Sequence, residues 1–117
     1  APGDYHMSIR QDSYSTTTHI SQEAKVNLFR PSIDVLMKST ADKFGDKNIC
    51  IMMTGMARDG VEGLRYSKQK GAYTLAQDEE TSVVFGMNKL AIQTGCVDKV
   101  LPLKSIVPQI LHKLNLD

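Results

Sequence analysis

The segment with the residue types and spacing to do chemistry is Thr54-Gly55-Met56-Ala57-Arg58-Asp59-Gly60, which follows the apolar run Asn48-Ile49-Cys50-Ile51-Met52-Met53. A short run that is apolar on both faces reads as a strand in the middle of a parallel sheet. Ligands of such sheets bind beyond the carboxyl ends of the strands, where loops lead into helix N-termini. Three chemistries compete for the loop. Asp59 and Glu62 have the Asp-x-x-Glu spacing of a capping box, so Asp59 could serve only to accept N–H bonds from the turn that follows it. A helix N-terminus after a glycine-punctuated loop could instead hold a phosphate. Against that, no Gly-Lys-Ser/Thr or GxGxxG pattern is present, and two first-turn carboxylates would repel an anion. In the third reading a carboxylate at a strand end orients a histidine that acts as base for a serine nucleophile. Backbone N–H groups freed by Gly55 would then face a developing oxyanion. Local chemistry alone leaves the capping and catalytic readings open.

The partners for a triad do not come from within the chain. Its histidines are His6, His19 and His112. His112 reads as an exposed residue of a terminal helix and His19 as part of a polar hairpin. His6 follows an opening turn and could line a site, with a satisfied structural histidine as the plainer reading. No Gly-x-Ser-x-Gly turn is present, and Ser39-Thr40 falls inside a helix, where a serine cannot project from a strained turn. No pair of His or Cys has metal-ligand spacing, so neither a metal nor a cofactor is expected.

The elements that must position the loop follow from periodicity. Tyr5–Arg10 and Ser15–Ile20 read as a β-hairpin around Gln11-Asp12-Ser13, and Ser21–Arg30 reads as loop. A helix is expected from Arg30-Pro31-Ser32, with Pro31 in its first turn. Ile33, Leu36, Met37, Ala41 and Phe44 lie on one face of it, and Gly45 stops it. After the strand at 48–53 come a helix over 60–70, a strand over 72–76, a helix from Ser82 or Met87 to Thr94, a strand over 97–101 and a helix over 105–114. Pro108 is expected in the first turn of the last helix, where proline is tolerated. This alternation predicts an α/β fold of the doubly wound type, a mostly parallel sheet with helices on both faces, preceded by the hairpin.

Composition excludes several classes. The 117 residues carry 14 basic and 13 acidic side chains, a net charge of +1, which is no basis for phosphate-backbone binding, so no nucleic-acid partner is expected. No apolar stretch approaches the ~20 residues of a membrane span, so no membrane insertion is expected. Cys50 and Cys96 read as two buried free thiols in a reducing, cytoplasmic setting. The opening Ala1-Pro2-Gly3-Asp4 is a turn signal without a preceding element, from which the chain is expected to be a partial domain.

Several motifs occur together in order: Ala1-Pro2-Gly3-Asp4-Tyr5-His6-Met7, Arg30-Pro31-Ser32-Ile33-Asp34-Val35-Leu36, Thr54-Gly55-Met56 with Asp59-Gly60, Gly71-Ala72, Ala76-Gln77-Asp78-Glu79 and Ser82-Val83-Val84-Phe85-Gly86-Met87. From Ala1 to about Leu103 the chain resembles the C-terminal part of the catalytic domain of CheB-type chemotaxis protein-glutamate methylesterases. The resemblance implies hydrolysis of glutamyl methyl esters, and deamidation of glutamines, on methyl-accepting chemoreceptors, with other chemotaxis signalling proteins as further candidate partners. It implies that Asp59 is the acid of a Ser-His-Asp triad and that the Thr54-Gly55-Met56 backbone, Met56 above all, lies at the oxyanion. His6 matches a family position that is not the catalytic histidine. The family's Ser-Thr-Gly-Gly-like and Gln-His-Met-Pro-like segments are not among these residues, so the chain alone is expected to be inactive, and to be poorly folded because strands that should flank Ile49–Met53 are missing. A non-enzymatic receptor-docking module is the alternative, and a nucleotide- or phosphate-binding module a weaker one. Two positions depart from the pattern. Ala57 stands where glycine is usual, costing about 1 kcal/mol if φ is positive there. Asn88 stands where proline is usual, a change expected to matter little at a helix start.

Overall fold

The computed structural model describes residues 1–116. The chain forms β1 (His6–Gln11), β2 (Thr16–Ser21), α1 (Ile33–Phe44), β3 (Ile49–Met52), α2 (Val61–Gln69), β4 (Tyr73–Gln77), α3 (Met87–Gln93), β5 (Lys99–Leu101) and α4 (Leu103–Lys113). β1 and β2 are antiparallel, with His6 opposite Ser21 and Gln11 opposite Thr16. Asp12 makes their turn by accepting the Tyr14 and Ser15 N–H groups at 2.8 and 2.9 Å. β3, β4 and β5 form a parallel sheet in that order, Ile49 pairing with Tyr73 and Leu75 with Lys99.

The pleat of β4 shows how the sheet is covered on both sides. Ala76 joins Cys50, Met52, Leu64, Ala72, Ala91 and Cys96 in the core, which places α2 and α3 over that face. The alternate residue Tyr73 turns the other way, where Gln109 donates to its hydroxyl at 3.1 Å and Lys113 lies 4.6 Å from its ring, so α4 covers the opposite face. This is the expected α/β arrangement with an N-terminal hairpin. The hairpin is tied down by α1, whose Ser39 hydroxyl accepts the Ile9 N–H at 2.9 Å. Cys50 and Cys96 are buried free thiols. Among the described residues no helix is long and apolar enough to cross a membrane.

As expected of a strand whose flanking neighbours are partly missing, β3 pairs with β4 alone among the described residues, with Ile49 and Ile51 half-buried. Three local expectations are corrected. α1 begins at Ile33, so Pro31 stands before the N-cap Ser32 rather than in the first turn, and the Arg30–Pro31 peptide is cis. α4 begins at Leu103, two residues early, which puts Pro108 inside the helix. The carbonyl of Lys104 thereby loses its i+4 donor, on an exposed part of the helix where solvent can replace it. The stretch between β2 and α1 is more ordered than a plain loop: Val26 and Phe29 exchange backbone hydrogen bonds at 3.0 and 2.8 Å around Asn27 and Leu28. Both central residues have positive φ, 54° and 71°, as a type I′ turn requires.

Candidate active site

The loop from Thr54 to Gly60 leaves the carboxyl end of β3 and is fixed on two sides. On the first, the Thr54 hydroxyl donates to the Val84 carbonyl and accepts the Val84 N–H, both at 2.8 Å. Gly55 N–H bonds the same carbonyl at 3.0 Å, and Met87 N–H bonds the Gly55 carbonyl at 3.0 Å. The strands are so close that a Cβ on Gly86 would lie 2.4 Å from the Gly55 oxygen, which explains glycine at that position. The buried Gln77 at the end of β4 completes the brace, its Oε1 accepting the Thr54 N–H at 3.2 Å while its amide donates to the Thr81 carbonyl at 2.8 Å. Asn88 belongs to this brace too. It is wholly buried and donates to the Gln77 carbonyl at 3.0 Å and the Ser82 hydroxyl at 2.9 Å, with its own Oδ1 unpartnered. Asn88 stands in the first turn of α3, where it was expected, and its side chain is in addition an interior connector.

Between these anchored ends, Met56 is 74% exposed and its N–H donates to no atom of the described residues. Ala57 has φ 73°, so the strain expected of alanine in place of glycine is present.

On the second side stands Asp59, 4% exposed. Its Oδ2 accepts the Ile33 N–H at 2.6 Å; its Oδ1 accepts the Ser32 hydroxyl at 2.6 Å and the Asn27 amide at 2.9 Å. Asp59 therefore caps α1 from a different loop, and the expected cap of its own helix is absent. Glu62 is no box partner either, being paired with Arg65 at the surface. The N-terminus of α2 is served instead by Asp34 of α1, 3% exposed, whose Oδ1 accepts the N–H groups of Gly60 at 3.0 Å and Gly63 at 2.6 Å. The two helices thus exchange caps, each through a carboxylate at the positive end of the other's dipole. Burial raises the pKa of Asp59, but the hydrogen bonds from Ser32, Asn27 and the Ile33 and Asp34 N–H groups outweigh it, leaving the carboxyl below its ordinary value.

His6 is buried directly behind this constellation. Its Nδ1 accepts the Ser32 N–H at 3.1 Å and its Nε2 donates to the Ala24 carbonyl at 2.9 Å. Accepting at Nδ1 fixes the neutral Nε2–H tautomer. Both nitrogens are spent on backbone, and His6 holds Ser32 in place behind Asp59. The chain therefore brings His6 and Asp59 into one network through Ser32, and sets Thr54, Gly55 and Met56 on the same loop. Asn27, Ser32, Asp34 and Gln77 were not singled out by sequence reasoning as site residues. An acidic residue in a helix's first turn was the one available signal, for Asp34; Asn27 gave none, since neither of its carboxylate partners is near in sequence. No cluster of His, Cys, Asp or Glu able to hold a metal exists among the described residues.

Comparison with known families places this arrangement. The CheB methylesterase family model matches residues 1–110. The chain belongs to the CheB methylesterase family. A protein-glutamate methylesterase/protein-glutamine glutaminase from Cupriavidus pinatubonensis is 45% identical over 97% of this chain, and one from Pyrococcus horikoshii 40% identical over 99%. In both cases the match spans 32% of the relative, so the chain corresponds to about a third of the length of these family members. The crystal structure of the Thermotoga maritima CheB methylesterase catalytic domain superposes with a TM-score of 0.91 at 35% identity, covering 97% of this chain and 60% of that one. The hairpin, the parallel sheet and the helices on both faces are thus the CheB catalytic-domain fold over the part the chain spans.

Proposed function

We propose that the chain supplies the aspartate and the oxyanion loop of a protein-glutamate methylesterase that also deamidates glutamine, acting in the cytoplasm on methyl-accepting chemoreceptors. In this reading a serine and a histidine come from residues outside these 117. The serine oxygen attacks the ester carbonyl as the histidine takes its proton. The tetrahedral oxyanion collapses with departure of methanol, protonated by the imidazolium, and water then hydrolyses the acyl-enzyme by the same proton relay. With a glutamine side chain the leaving group is ammonia.

The observation that carries this is the state of Asp59. It is buried at the carboxyl end of the sheet, held with a depressed pKa and therefore ionised at neutral pH, and oriented by donors from four residues. A carboxylate accepts at about four lone-pair positions. Oδ1 is engaged by Ser32, Asn27 and, at 3.5 Å, the Asp34 N–H, whereas Oδ2 takes only the Ile33 N–H, which leaves Oδ2 an acceptor position for an imidazole N–H. The exposed Met56 with its uncommitted N–H supports an oxyanion role for the same loop.

Replacing Asp59 by asparagine in the full-length protein should lower methanol release from methylated receptors by several orders of magnitude, with secondary structure retained. Turnover within a few-fold of wild type would refute the assignment.

A further inference from the structure

Asn27 is a turn residue whose side chain does something no turn requires. The type I′ turn needs positive φ at residues 27 and 28, and Leu28 meets that need with its side chain 90% exposed. Asn27 points the other way. Its Nδ2 lies 2.7 Å from Asp34 Oδ2 and 2.9 Å from Asp59 Oδ1, so its two amide hydrogens are divided between two buried carboxylates. These carboxylates come from different parts of the chain, and among the described residues no other side chain bridges them. Asp34 in turn grips the backbone on the far side of Asp59 through the Gly60 and Gly63 N–H groups. Without the amide, the two carboxylates would lose the side-chain donor they share, and Oδ1 of Asp59 would keep only the Ser32 hydroxyl and a long 3.5 Å bond from the Asp34 N–H. A carboxylate so released can rotate about χ2 and turn its free Oδ2 position away from an imidazole.

We infer that Asn27, braced by Asp34, is a positioning residue for the reaction, fixing the carboxylate rotamer of Asp59 so that Oδ2 is presented to the catalytic histidine. This rests on the assignment of Asp59 above. Asn27 does not touch the substrate, and its effect passes wholly through Asp59. It therefore changes the rate of the chemical step and leaves receptor binding alone. The other ionisable groups near the pair are Arg58 in the same loop and Glu62 and Arg65 of α2, which line the adjoining cavity of about 490 Å³ with Asn27 and Asp34. None of these three donates to the Asp59 carboxylate.

The test is Asn27→Gly in the full-length protein, because glycine keeps the positive φ of the turn and removes only the amide. Methanol release from methylated receptors is measured at steady state over a range of receptor concentrations, each variant below its own unfolding midpoint. A lost hydrogen bond to a charged acceptor predicts a fall in kcat of roughly tenfold or more with KM unchanged. In an Asp59→Asn background the same change should lower the rate no further. Wild-type kcat for Asn27→Gly, a loss appearing in KM alone, or an equal loss in both backgrounds would each overturn the inference. Those results differ from failure of the underlying assignment, which would show as an active Asp59→Asn single variant.

Discussion

Gly63→Ala offers a sharp test of the cap exchange, because the ordinary rule and the structure predict opposite signs. Gly63 is the third residue of α2, and an alanine inside a helix is normally more stable than glycine by about 1 kcal/mol. Here an added Cβ would lie 2.8 Å from Met37 Cβ, 2.9 Å from Asp34 Oδ1 and 3.1 Å from Asp34 Cα. Two of those atoms belong to, or sit directly on, the backbone of α1 and cannot swing aside. The third is the oxygen that accepts the Gly63 N–H at 2.6 Å. Relief therefore requires α1 and α2 to separate, costing about 1–3 kcal/mol in overpacking. It also weakens a hydrogen bond to a buried carboxylate, worth about 1.5–3 kcal/mol. After the gain in helix propensity, a net destabilisation of about 1.5–5 kcal/mol remains. Urea unfolding followed by far-UV circular dichroism should show a lower midpoint at unchanged slope. The exposed neighbour change Glu62→Ala should stay within about 0.5 kcal/mol of wild type. A Gly63→Ala protein as stable as wild type, or more so, would refute the reasoning that the α1–α2 crossing is closed by the Asp34 cap.

Three further outcomes follow from the same geometry. Ala57→Gly should raise the urea midpoint by about 0.5 kcal/mol equivalent, the relief of a positive-φ alanine exceeding the added chain entropy of glycine; a lower midpoint would contradict it. Because the folded-state pKa of Asp59 lies below its ordinary value of 3.8, its contribution to stability is complete above that value and is lost as pH falls through the depressed one. Acid unfolding of wild type should thus steepen relative to Asp59→Asn below about pH 4, and parallel acid limbs would exclude the effect. Burial pushes the Cys50 thiol up against weaker opposing hydrogen bonds from Ser67 and Asn48. Iodoacetamide in mild alkali should therefore leave Cys50 unmodified in the native protein and label it in urea, as read by mass spectrometry.

The fold was legible in the sequence where pattern and structure share a local cause. The periodic spacing of Ile33, Met37 and Ala41, the glycine stops and the apolar run at 49–52 gave the order of elements and the location of the loop. The boundaries at Pro31 and Pro108 slipped because proline is compatible with several positions near a helix start, and tertiary contacts choose among them. β3 is apolar on both faces although it pairs with β4 alone among the described residues; composition reports what a strand can bury, not which neighbours a given chain supplies. Asp59 was legible as a residue of consequence, with capping of the helix that follows it as one open reading, but the helix it caps is α1. Cap rules are written for neighbours in sequence, whereas here the donors of Ile33 are 26 residues away from their acceptor. Asn27 and the interior bonds of Asn88 were illegible for the same reason.

The exchange of caps also bears on how sequences in this family are interpreted. Asp59 satisfies the start of α1, and Asp34 the start of α2, whether or not any ester is ever bound. A descendant that had abandoned hydrolysis would still be under selection to keep both residues in order to remain folded. Retention of this aspartate across relatives is consequently poor evidence of enzymatic competence. A freely drifting Met56 loop beside an unchanged Asp59 would be the mark of a member that has kept the architecture and given up the reaction.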